Sequence, residues 1–174
     1  MDHQTGKTYT LIEIIRQLAK QEKKILVCGP SNISVDNLVE RLAKCRLNIL
    51  RVGHPARILP AVVEHALDVV TQTCDQGQLV NDIRKEMDQT MANIQKSRNR
   101  TERKGYYQEL RDLKREFRVR EGRVVEELFE ETPVILSTLN GCGSRTMKNR
   151  KFDVVIIDEA TQALEGNIPI FVSC

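Results

Sequence analysis

Four aliphatic residues, Val154-Val155-Ile156-Ile157, run directly into two carboxylates, Asp158 and Glu159. A run so short and so uniformly apolar suits a strand covered on both faces, and such strands belong to parallel sheets under crossover helices. The pattern recurs upstream. Ile25-Leu26-Val27-Cys28 stops at Gly29-Pro30, Ile49 to Val52 is closed by Gly53 and Pro55, and Val134-Ile135-Leu136-Ser137 follows Thr132-Pro133. Before the first of these runs, Thr8 to Gln21 carries Leu11, Ile12, Ile14, Ile15, Leu18 and Ala19 at helical spacing. A second helix is expected over Val35–Lys44, with Val35, Leu38, Val39 and Leu42 on one side and the polar turn Ser31–Ser34 ahead of it. Strand, helix, strand at this rhythm predicts an α/β fold with a parallel sheet.

From about Pro60 the texture changes. Leu79, Ile83, Met87, Met91 and Ile94 recur at three- and four-residue steps, as do Leu110, Leu113, Phe117, Val124 and Leu128, around a polar stretch from Lys96 to Gly105. This pattern predicts two long antiparallel helices along a narrow seam, inserted into the α/β unit. The expected organisation is therefore residues 1–60 and 132–174 as the two parts of one α/β domain, with 61–131 as a helical insertion. From Lys96 to Arg123 there are eleven Lys/Arg and five Asp/Glu, so the segment is locally +6. Composition favours a solvated helical face; the alternative is a basic stalk that follows a nucleic-acid backbone. Tyr106-Tyr107 would stack on bases in that alternative and pack in the seam otherwise.

Bulk properties exclude several classes. At 174 residues the chain is long enough for a sizeable core, and its net charge of +3 is too small to argue for nucleic acid. No apolar run approaches membrane-spanning length, and the amino terminus has no secretory pattern. Five scattered cysteines (Cys28, Cys45, Cys74, Cys142 and Cys174) read as reduced thiols in a cytoplasmic or nuclear protein. Neither they nor the isolated His3, His54 and His65 have metal-ligand spacing. Arg51 and Arg57 flank a loop and read as solvated cations, the alternative being contact with phosphate.

Two half-motifs carry the chemistry. Thr5-Gly6-Lys7-Thr8 matches the end of the phosphate-loop pattern GxxxxGK[ST], in which backbone N–H groups at a helix amino terminus cradle phosphate. Lys7 would bridge the terminal phosphates of ATP and Thr8 would give its hydroxyl to Mg2+. The first glycine of the pattern falls on Met1, so the loop departs from it there. Asp158 would hold Mg2+ at a strand's carboxyl end, and Glu159 would orient and deprotonate an attacking water. Gln162, three positions on, reads as a surface amide or as a γ-phosphate contact. Pro30, Ser31 and Asn32 lie in a strand-to-helix loop whose polar groups suit helix capping and backbone phosphates equally.

TGKT, CGPSNISVDNLVERL, RVGHPAR and FDVVIIDEATQALE, in that order, resemble the first RecA-like domain of superfamily 1 helicases, in the branch of the nonsense-mediated-decay helicase. The resemblance covers almost the whole chain. It implies a P-loop NTPase fold using ATP and Mg2+, with Lys7 and Thr8 on phosphate and magnesium, Asp158 as magnesium acid, Glu159 as general base and Gln162 as γ-phosphate sensor. Pro30, Ser31, Asn32, Ser137 and Thr138 would face single-stranded RNA or DNA. It also implies 5′ to 3′ translocation, with hydrolysis in a cleft shared with a second RecA-like domain. That domain is not in this sequence, so the chain reads as a helicase fragment that alone is inactive or very weak. The alternative is a nucleic-acid-binding fragment without catalysis.

Overall fold

The computed structural model describes residues 6–162. They form two compact units, one made by the chain up to Val69 and again from Phe129, the other by Val70–Leu128. The first unit is built on four parallel strands: β1 (Ile25–Gly29), β2 (Ile49–Val52), β3 (Val134–Thr138) and β4 (Val154–Ile157), in the order β2-β3-β1-β4. Register sets Ile25 beside Val134 and Val154, and Cys28 beside Ser137 and Ile157, so the carboxyl ends of β1, β3 and β4 are level. The expected α/β parallel sheet is present.

One sheet face, carrying Ile25, Val27, Ile49, Val134 and Leu136, packs against helices α1 (Lys7–Lys20) and α2 (Asn32–Lys44) through Ile12, Ile15, Val35, Leu38 and Leu42. On the other face Leu26, Leu50 and Ile135 are fully buried. There a single turn, α6 (Leu139–Cys142), packs on β3 and β1. Helix α1 begins one residue before the expected start. Its Ile14 is 47% exposed, because it lies just beyond the edge of the arc of Leu11, Ile12, Ile15, Leu18 and Ala19.

Three sequence expectations shift. Helix α2 starts at Asn32, three residues earlier than the apolar pattern indicated, because the Ser31–Ser34 turn is its cap. The Ser31 hydroxyl accepts from Ser34 N at 3.1 Å, and the Ser34 hydroxyl accepts in return from Ser31 N at 3.3 Å. Strand β4 is half-buried along its length, unlike the fully buried β1 and β2. It is an edge of the described sheet rather than a central strand, with β1 on one side. Arg51 is not a surface cation: it is fully buried, on the same face of β2 as Ile49.

The second unit takes in the end of α3 (Leu67–Thr73), all of α4 (Asp75–Lys96) and most of α5 (Arg100–Glu131), which follows α4 after only three residues. The polar stretch expected to separate the long helices is mostly helical. Asn99 caps α5, its side chain accepting from Thr101 N at 2.9 Å. Val80, Ile83 and Ile94 are buried on α4 and Leu110 and Val124 on α5, whereas Leu79 and Met91 of the expected seam are 56% and 45% exposed. The Arg84 guanidinium, 5.5 Å from the Phe117 ring centroid, ties α4 to α5. Tyr107 is exposed rather than packed.

Candidate functional site

The carboxyl edge of a parallel sheet is where loops and helix amino termini gather. Helix α1 reaches β1 through a four-residue connection and packs against it, so the two run antiparallel. A 14-residue helix is about 21 Å long and a five-residue strand about 17 Å, so the start of α1 extends to or beyond the carboxyl end of β1. Gly6 occupies the N-cap with φ of 65°, a conformation that costs glycine little, and supplies no side-chain cap. Among the described residues no side chain caps the first-turn N–H groups of α1, which suits them to solvent or an anion. Lys7 is exposed and Thr8 half-buried at this end. Thr5 lies outside the described residues.

The acidic pair leaves the neighbouring strand. Asp158 N donates to Cys28 O at 2.8 Å, pinning the end of β4 to β1. Asp158 is half-buried and Glu159 exposed. Glu159 holds φ of 53°, left-handed backbone unusual for a glutamate, and its N–H donates to Asp158 Oδ1 at 3.1 Å. Such a bend sets the two carboxyl groups on different headings from adjacent positions. Gln162 ends a 3-10 turn, Ala160–Gln162, described here by its backbone alone.

From β1 the chain passes through half-buried Pro30 and exposed Ser31 into α2. Asn32 Oδ1 accepts from Arg51 Nη2 at 2.9 Å. A guanidinium can only donate, so this contact fixes which end of the amide faces inward. Arg51 Nε also donates to Asp36 Oδ1 at 2.8 Å, and Asp36 Oδ2 accepts from Leu59 N at 2.8 Å. Asn32, Asp36 and Arg51 thus join the start of α2 to β2 through a buried ion pair. Sequence reasoning missed it. A signal existed: Asn32 and Asp36 share a helix face at a four-residue spacing, and Arg51 sits amid strand aliphatics.

The third loop separates its two candidates. Ser137 is fully buried, whereas Thr138 is half-buried and caps α6, accepting from Gly141 N at 3.0 Å. A Cβ on Gly141 would lie 2.6 Å from Ser137 Oγ and 2.9 Å from Thr138 Oγ1, so α6 can approach β3 this closely only with glycine there. Ser137 as it stands presents no surface to a nucleic-acid strand, because strand alternation turns it beneath α6. Beside it Cys28 Sγ lies 3.2 Å from Cys142 Sγ. The hydrogen bond with Cys142, with burial, raises the Cys28 thiol well above the usual range. The structure therefore groups Gly6, Lys7 and Thr8 with Asp158, Glu159, Pro30, Ser31, Asn32 and Thr138 at one sheet edge.

Comparison with known proteins agrees with this geometry. A profile of the AAA domain family matches residues 3–172. The DNA polymerase alpha-associated DNA helicase A of Schizosaccharomyces pombe is 45% identical over 161 residues, covering 92% of this chain and 24% of that protein. The DNA-binding protein SMUBP-2 of Mesocricetus auratus is 43% identical over 167 residues, 94% of this chain and 17% of that one. A regulator of nonsense transcripts 1 homolog from Neurospora crassa is 30% identical over 173 residues, 98% and 14% respectively. The chain spans about a quarter or less of the length of these relatives. A P-loop half-motif, a strand ending in Asp-Glu and matching relatives along nearly the whole sequence converge: the chain belongs to the AAA domain family, in the superfamily 1 helicase branch that includes the nonsense-mediated-decay helicase.

Proposed function

We propose that this chain is the first motor half of an ATP-dependent helicase that moves 5′ to 3′ on single-stranded RNA or DNA and works with a second RecA-like domain. The observation that carries the reading is the uncapped start of α1 at the same sheet edge as Asp158 and Glu159. The residues present fit the nucleotide. First-turn amides of α1 and the Lys7 ammonium suit phosphate oxygens. The Thr8 hydroxyl and Asp158 carboxylate are hard oxygen donors for Mg2+. Among the described residues no group of three or more His, Cys, Asp or Glu could hold a metal ion. A cation here would rely on phosphate and water for its other ligands, as magnesium does beside a nucleotide. Bound ATP would supply the phosphoryl group whose transfer to water drives movement. Glu159 would accept the proton of that water on its carboxylate, and Gln162 would contact the terminal phosphate.

On the nucleic-acid side, Pro30, Ser31, Asn32 and Thr138 would border the strand, with Asn32 held by Arg51. Ser137 would act beneath them, supporting the turn that presents Thr138. We further propose the division into residues 1–60, 61–131 and 132–174, and residence in the cytoplasm or nucleus. No described helix is long and apolar enough to cross a membrane. The test is titration of the chain with a fluorescent ATP analogue and Mg2+, beside Lys7→Ala. Saturable binding that vanishes in the variant is expected. Binding indifferent to Lys7, or none by the folded chain, overturns the reading.

A further inference from the structure

The +6 of the helical insertion conceals a sharper arrangement on α5. At about 100° per residue, Arg100, Arg103, Lys104, Tyr107, Arg111, Lys114, Arg115 and Arg118 all fall within roughly 60° of one line along the helix. Each is exposed. Between Arg100 and Arg118 no carboxylate falls on that face. Glu102, Glu109, Asp112 and Glu116 stand on the far side, where Asp112 accepts from Gln108 and Glu116 pairs with Arg120 at 2.7 Å. Buried Leu110 and half-buried Leu113 and Phe117 take the third sector. Helix α5 is thus three-faced: apolar, acidic and basic. The seven cations of the basic face make no ion pair among the described residues, while Glu102, Asp112 and Glu116 opposite are engaged locally.

Random placement of charges on a solvated helix interleaves the signs and forms i,i+4 pairs, which stabilise it slightly. Seven like charges on one face do the reverse, since neighbours at this spacing repel by a similar amount. The chain keeps an unfavourable arrangement here, and a polyanion would relieve it. The face is about 27 Å long from Arg100 to Arg118, with its cations in two groups, Arg100–Lys104 and Arg111–Arg118, about 10.5 Å of helix axis apart. In the midst stands Tyr107, 52% exposed, bordering a groove of about 540 Å³ lined otherwise by Arg98, Arg100, Arg103 and Lys104. A phenol ring among backbone-neutralising cations suits an unpaired base, which has a π-face to offer, better than a duplex whose bases are stacked away.

We propose that the basic face of α5 is a nucleic-acid-binding surface for the sugar-phosphate backbone of a single strand, with Tyr107 as a stacking platform. It belongs to the second unit and works without nucleotide, so it is separable from the carboxyl-edge site. The experiment measures binding of the chain to fluorescent oligo-dT and oligo-U from about 50 to 200 mM salt, without ATP. Single strands release about 0.7 counterion per neutralised phosphate, so R111A/K114A/R118A flattens the log–log salt slope by about 2. The lysine variant R111K/R118K keeps the parental slope. Tyr107→Ala weakens oligo-dT binding roughly fivefold or more and leaves heparin binding unchanged. All these positions are exposed, and unchanged thermal unfolding checks that the variants fold. An unchanged slope in the triple variant, with binding lost instead in Asn32→Ala, overturns the proposal and leaves the carboxyl-edge reading standing. Equal affinity for duplex, heparin and single strands, untouched by Tyr107→Ala, also overturns it. Loss of Mg2+-ATP binding in Lys7→Ala with oligonucleotide binding intact is expected and separates the two sites.

Discussion

Replacing Arg51 by methionine isolates the buried ion pair that anchors the start of α2. Both Arg51 and Asp36 side chains are 0% exposed, with Nε 2.8 Å from Oδ1. Methionine approximates the arginine stem and leaves little cavity, so the change is chiefly electrostatic. It strips the Asp36 carboxylate of its cation and leaves it Leu59 N–H, and it removes the donor to Asn32 Oδ1. Breaking a buried pair from one side costs about 3–5 kcal/mol. At about 2–4 °C per kcal/mol for a chain of this size, that is a fall in Tm of roughly 6–20 °C. Asp36→Leu alone should cost a similar amount. The double variant Arg51→Met/Asp36→Leu removes both charges and should recover most of the loss. It falls short of the parent by about 1–3 kcal/mol, for the Leu59 N–H and Asn32 amide left unpaired. Urea unfolding followed by circular dichroism reads all four proteins, with equal m-values securing the comparison. Two single losses that simply add in the double variant, or an Arg51→Met protein within 1 kcal/mol of the parent, would refute the reasoning.

The second unit offers a contrast between two helical glycines. A Cβ on Gly77 would lie 2.0 Å from Thr71 O, so Gly77→Ala must shift backbone and should cost about 2 kcal/mol or more. Gly105 meets nothing within 4 Å, and Gly105→Ala should stabilise by about 0.5–1 kcal/mol; thermal unfolding of both distinguishes steric need from tolerance. Brief iodoacetamide labelling at pH 8, read by peptide mass, should modify half-buried Cys45 and Cys74 well before Cys28. Both burial and the bond to Cys142 keep the Cys28 thiol protonated there, and early labelling of Cys28 would contradict the packing of α6 on β1.

The four strands were legible because each is a short run dominated by aliphatic residues, interrupted in β2 by Arg51, a pattern that solvated elements rarely show. The convergence of Pro30–Asn32 with Asp158 and Glu159 followed from the same reading, since loops after parallel strands share an edge. What escaped depended on pairing across long separations. Arg51 looks solvated until Asp36, fifteen positions earlier, is brought beneath it. Ser137 and Thr138 look equivalent until α6 covers one face of β3. The start of α2 was hidden because capping residues and turn residues are the same few types, and only the reciprocal Ser31–Ser34 bonds tell them apart. The basic face of α5 was present in the sequence, but a summed charge of +6 erases its direction. Turning the residues onto a 3.6 period restores it.

The two sides of the carboxyl edge are built on opposite principles. At α2 several polar groups are occupied within the fold: Ser31 by Ser34, Asn32 Oδ1 by Arg51, Asp36 by Arg51 and Leu59 N–H. That side is stiff before anything binds, because its hydrogen bonds close on the core. At α1 the N-cap is a glycine without a side chain, and exposed Lys7 makes no ion pair among the described residues. Water satisfies such exposed amides at little cost, so the end can stay open and exchange water for anion without breaking an internal bond. A rigid shelf beside an open helix end suits a motor half. Pre-ordered polar groups hold position on one side, while on the other the dominant favourable contacts await a charged ligand. The strained backbone of Glu159 follows Asp158, whose N–H is bonded to Cys28 O at the end of β1. A change in ligation at Asp158 has a short route to the α2 side through the Asp158 N–H bond to Cys28 O, because Cys28 lies one residue before the Gly29–Pro30 turn that leads into α2.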